Sequence, residues 1–99
     1  MKHKFKKPFK FEDKEYKELE LNLEGLTGSE LQAVERELAF SGMAVMNVST
    51  SQTACLYLAA KAAKVPSELI MALPIAEATE VSMKVQHFLL GLESITPTL

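Results

Sequence analysis

The 99-residue chain has no tryptophan, one cysteine, two histidines and only four glycines, and each shortage removes a class of function. A single thiol, Cys55, cannot close an internal disulfide, so the fold has to rest on a packed core. The sparse glycines spell neither a phosphate-cradling loop nor a G-x-S-x-G elbow. His3 and His87 lie at opposite ends, and neither has a second ligand at the spacing that would complete a zinc set. No catalytic group, cofactor site or metal site is therefore expected, and an enzyme is not. Long apolar runs are also missing. Lys61 and Lys64 interrupt the best candidate well short of the ~20 residues that a spanning helix needs. The basic start lacks the apolar stretch of a signal peptide, so the chain is expected to stay in the cytoplasm, with no membrane partner.

What remains is an ordinary globular composition, 47% hydrophobic and 24% charged, in a chain long enough for one core and too short for two. The stretch from Cys55 to Leu92 organises it. Ile75, Ala78, Val81, Val85, Phe88, Leu89 and Leu92 recur at steps of three and four, the pattern of a helix with one buried stripe. Glu77, Glu80 and Lys84 recur on another face, with Glu80 four residues before Lys84, and are expected to face solvent. Before it, Ala54 to Ala60 is apolar nearly all round, which predicts a central helix touched on several sides. Val65 and Pro66 should end that helix. Pro66 or Ser67 then opens a short helix to Leu73 that turns Leu69, Ile70 and Leu73 inward, and Pro74 suits the first turn of the last helix.

The N-terminal half has a different period. Phe9 and Phe11 alternate with Lys10 and Glu12, and beyond a turn at Asp13-Lys14 the residues Tyr16, Leu19, Leu21 and Leu23 stand against a run of glutamates. Period two of this length predicts a β-hairpin with one wet face. Two strands alone are marginal in water, so the leucine face must lie on the helices. The outer edge would stay open, guarded by its lysines and glutamates. Thr27 with Glu30 has the form of a capping box, Ser29 with Gln32 is an equally legal start, and the helix should run through Leu31, Val34 and Leu38 to a stop at Ser41-Gly42.

These readings give one α+β domain, an N-terminal β-hairpin packed on three to four α-helices. Residues 1–24 would hold a basic tail and the hairpin, with His3 in the tail, and 25–42 the first helix. Residues 43–50 would form a connection, 51–92 the helical core with Ser51 or Thr50 as its cap, and 93–99 a frayed tail. Flexible thioethers adapt to several apolar partners, so Met43, Met46, Met71 and Met83 are candidates for a partner-binding surface, together with His87 and Leu90. The five lysines in the first ten residues and a helix-turn-helix-like corner at Leu58 to Leu73 support a second reading, a small nucleic-acid-binding regulator. Against it, Ser67 and the acidic Glu68 are poor readers of base edges.

The order of parts resembles the tail assembly chaperones of long-tailed bacteriophages. The residues that carry the likeness are Lys7, Pro8, Phe9, Phe11 and Tyr16 in the hairpin, Leu26 to Gly28 at a helix start, and Glu35 to Leu38 within it. An alanine-rich helix, the corner Pro66 to Leu69 and a closing Val85 to Leu89 follow. Members often carry an aspartate shortly after the Leu-Pro corner, where this chain has Ile75, Ala76 and Glu77. The resemblance implies a protein that binds apolar stretches of the tape measure protein and recruits tail tube protein in the cytoplasm of the bacterial host. It also implies absence from the mature virion, and it is compatible with a homo-oligomer.

Overall fold

The computed structural model describes residues 1–42 and 51–91 and has the expected α+β arrangement, a two-stranded antiparallel hairpin with four helices. Strand β1 spans Lys2–Phe11 and β2 spans Lys14–Glu20. The turn falls one residue earlier than the alternation predicts. Glu12 and Asp13 take φ of 49° and 66°, the paired left-handed residues of a tight hairpin turn whose twist matches the strands, and Lys14 already belongs to β2. A larger correction concerns the start. The lysine-rich start is strand and not tail, because β1 begins at Lys2 and pairs Lys2, His3 and Lys4 with Glu20, Leu19 and Glu18. Between Lys4 and Phe9 the register shifts, and Pro8, which has no N–H to give a ladder, lies in that irregular stretch.

Leu19, Leu21 and Leu23 are all buried, as the wet-face argument requires, although the strand ends at Glu20 and Leu23 sits in a short 3-10 turn, Leu23–Gly25. Helix α1, Gly28–Phe40, opens on the Thr27–Glu30 capping box. The Thr27 backbone N–H donates to the Glu30 carboxylate at 2.8 Å, and Ser29 N–H donates to the Thr27 hydroxyl. The hydroxyl also bonds Glu30, and this bond with the backbone donors holds the exposed carboxyl below its ordinary range. Val34 and Leu38 are buried, Leu31 is partly open, and Gly42 closes the helix at φ 76°.

Helix α2, Gln52–Ala63, is the centre. Ser51 caps it, and Ala54, Cys55, Leu58, Ala59, Ala60 and Ala62 are buried against neighbours on several sides. It touches α1, α4, β2, the 3-10 turn and α3, Ser67–Met71. Small side chains permit this close approach, and burial pushes the Cys55 thiol up from its usual pKa. The helix ends on Lys64 in the left-handed conformation, φ 57°, with Val65 N–H returning to the Ala60 carbonyl at 3.0 Å. Leu69, Ile70 and Leu73 turn inward as expected.

Helix α4, Ile75–Leu89, buries Val81 and Val85 completely and Ala78 and Phe88 in part. Two members of its expected stripe depart from it. Ile75 is 85% exposed, because at 100° per residue it lies about 100° round the helix from the Val81–Val85 line. Leu89 is partly exposed, and Leu92 lies outside the described residues.

Candidate partner-binding surfaces

Three places in the fold bring chemistry together, and the first is where the hairpin meets α4. His3, expected in a tail, is fully buried, and Glu77, expected in solvent, is buried beside it. His3 Nε2 lies 2.8 Å from Glu77 Oε1, and the Lys6 backbone N–H donates to Oε2 at 2.8 Å. On the other side of the ring, Lys84 Nζ stands 3.0 Å from His3 Nδ1. An ammonium only donates, so Nδ1 accepts and Nε2 carries the proton that it shares with Glu77. Glu80 completes the group through Lys6 Nζ at 3.7 Å. The supposed solvent stripe of α4 is thus the seat of β1. Period could not show this, because the hairpin that covers the stripe comes from the far end of the chain.

His3, Glu77 and Glu80 place one ligand atom each within 4.8 Å of one another, a set that sequence spacing did not contain. Their surroundings suit a hydrogen-bonded anchor rather than a cation. Both Glu77 oxygens are engaged by donors, the ring nitrogen facing them is protonated, and Lys6 and Lys84 already supply two positive charges. Burial pushes the Glu77 carboxyl up, but the Lys6 N–H, the His3 bond and the nearby positive charge outweigh it and hold it below the usual carboxylate range. No buried side-chain polar atom among the described residues lacks a partner.

The second place is an apolar groove of about 180 Å³ between the start of α1 and the end of α4. Leu26, Leu31, Leu58, Phe88 and Leu89 line it. Sequence reasoning assigned each of these to its own helix stripe or left it aside. The groove lies where α1 and α4 both lean on α2, above the buried Leu58.

The third is the outward side of α4. Of the residues expected to bind a partner, Met83, His87 and Leu90 fall on one stripe there, Met83 and Leu90 about half exposed and His87 less so. Met71 is exposed at the end of α3. Met43 and Met46 lie outside the described residues. A trough of about 300 Å³ runs beside the stripe, lined by Gln52, Cys55, Ser82, Met83 and Gln86. Gln52 reaches across it to donate to the Ser82 hydroxyl at 3.1 Å.

The corner that suggested nucleic-acid binding is built differently from a reading head. Helix α3 has five residues and exposes Glu68, and the β1 residues Lys2 and Lys6 are paired with Glu18 and Glu80. No described helix is long and apolar enough to cross a membrane.

Set against known proteins, residues 2–90 match the family model described as "Phage tail assembly chaperone proteins, E, or 41 or 14". No curated protein and no solved structure matches the chain.

Proposed function

The chain belongs to the phage tail assembly chaperone family, and from that premise we propose that it binds apolar segments of the tape measure protein and recruits tail tube subunits around them. It does so in the cytoplasm of the bacterial host and leaves before the virion is complete. The observation that carries this reading is the groove. A small domain that keeps Leu26, Leu31, Phe88 and Leu89 around an open cleft holds apolar surface in reserve for another polypeptide. An amphipathic helix laid into it would bury anchors at i, i+3 or i+4 against those side chains. A long helical tape exposes many such segments before tube subunits cover it, so masking them prevents their association.

Co-expression tests this. The tape measure protein should be recovered soluble with the wild-type chain and lost to the pellet with Leu31→Glu/Leu89→Glu, two changes at partly exposed groove positions that leave the core intact. Equal recovery with and without the folded chaperone overturns the proposal. Equal rescue by the double variant moves the client away from the groove.

A further inference from the structure

A two-stranded sheet has two edges, and this hairpin treats its own two differently. Met1 and Leu21 exchange backbone hydrogen bonds, with Leu21 N–H donating to the Met1 carbonyl at 2.7 Å and the Met1 amine to the Leu21 carbonyl at 3.4 Å. In an antiparallel ladder such pairs alternate with pairs whose N–H and C=O groups turn away from the partner. Lys2 pairs with Glu20, His3 with Leu19 and Lys4 with Glu18. The backbone groups of Lys2 and Lys4 therefore point out along the β1 edge, and those of Glu18 and Glu20 along the β2 edge.

Side chains of α4 sit on the first of these edges. Lys84 Nζ donates to the Lys2 carbonyl at 3.4 Å, and Glu77 Oε2 accepts from the Lys6 N–H at 2.8 Å. Each brings what a neighbouring strand would bring, a donor to a carbonyl and an acceptor to an amide. One helix can reach both places because residues seven apart lie about 20° apart round it and about 10.5 Å along it, close to the ~13 Å between Lys2 and Lys6 on an extended strand. The β2 edge has no such cover, since nothing among the described residues bonds the outward backbone groups of Glu18 or Glu20. The open edge also matches the covered one in charge. Within the chain the two strands set Lys2 and Lys4 against Glu20 and Glu18, and Lys2 Nζ lies 3.6 Å from a Glu18 carboxylate oxygen. A bare β1 edge would meet the β2 edge of a second copy with the same opposite charges facing. Such a contact is head-to-tail and does not close, because every added copy leaves one edge of each kind exposed.

We propose that Glu77 and Lys84 guard the β1 edge against the β2 edge of a second copy, and so keep the chain from open-ended strand-to-strand growth. This goes beyond the client reading and does not depend on it, because the groove residues take no part.

The test is sedimentation velocity of the full chain over a concentration series. Wild type should show no open-ended growth from its 11.0 kDa unit. Lys84→Ala frees the Lys2 carbonyl and leaves the Glu77 bonds in place, whereas Glu77→Ala/Lys84→Ala frees both places and should grow at a concentration roughly tenfold lower than the single variant. Two controls separate edge pairing from the clumping of a loosened chain. Lys4→Pro removes an outward amide that β2 does not use, so it should stop the growth of the double variant. Excess wild type should hold the double variant to pairs, because a wild-type chain offers an open β2 edge and a guarded β1 edge. Should the double variant lose its helical far-UV circular dichroism, Lys84→Ala carries the same two controls. A folded, guardless chain that does not grow overturns the proposal, the lysines of β1 then being protection enough. So does growth that either Lys4→Pro or excess wild type leaves unchanged.

Discussion

Helix α4 is held on two sides by different means. Toward α2 it presents Val81 and Val85 to an alanine-rich surface, and the contact is apolar and close. Toward β1 it presents a carboxylate, and the contact is a chain of hydrogen bonds from Lys6 N–H through Glu77 and His3 to Lys84. The first kind of contact tolerates small slips at modest cost. The second does not, because a buried carboxylate that loses its donors keeps its desolvation penalty. The helices therefore supply the bulk of the stability, and the polar joint fixes where the hairpin sits.

The sharpest way to break this contrast begins in the helical body. Leu69→Ala removes a fully buried side chain where α3 packs on α2 and should cost about 2–5 kcal/mol in denaturant unfolding. A loss below 1 kcal/mol would mean that the helices are not the stabilising unit. Next comes the joint. Glu77→Gln removes the charge from two hydrogen bonds and should cost about 1–3 kcal/mol. It should also speed amide exchange in β1 more than in α2. Equal effects on both elements would show that the hairpin has no separate anchor.

Acid sharpens the same point. Glu77 is held below its ordinary 4.5 in the folded chain, so the unfolded chain takes up the proton first as pH falls. The stabilisation is full above the unfolded value and is lost as pH drops through the lower folded one. Wild type should therefore lose more stability than Glu77→Gln on acidification below about 4.5. Glu30 is also shifted downward but is common to both chains, and it cancels in the difference. Identical pH profiles would remove Glu77 from the account.

The smallest effect is expected at Lys64. A non-glycine residue at φ 57° carries strain of order 1 kcal/mol. Lys64→Gly should relieve it and raise the stability by a few tenths to about 1 kcal/mol, less what glycine loses in backbone entropy. A destabilised variant would mean that the lysine side chain makes a contact worth more than the strain.

Much of this fold can be read from local chemistry. Thr27 and Glu30 announce α1, Ser51 announces α2, and the prolines at 66 and 74 divide the C-terminal half into three helices where the structure divides it. The leucine alternation places Leu19, Leu21 and Leu23 in the core. The start of β1 carried a signal that went unused: Lys2, Lys4 and Lys6 alternate with His3 and Phe5, the same period two that marked the rest of the hairpin. The abundance of lysine made it look like a tail. Glu77 carried no such signal. Its burial depends on a histidine 74 residues away, and periodicity within a helix cannot tell a face wetted by solvent from one covered by a distant strand. The groove was equally hidden, because it is a gap between elements rather than a property of any one.

The distance in sequence between His3 and Glu77 has a consequence for how the molecule is made. Translation delivers about 5–20 residues per second, so the strand leaves the ribosome roughly 4–15 s before the carboxylate that receives it does. During that interval the aromatic ladder of Phe5, Phe9 and Phe11 has no seat, and the nascent chain must carry it unprotected until α4 emerges. A member of a chaperone family thus spends seconds of its own synthesis with an apolar strand face in need of shelter.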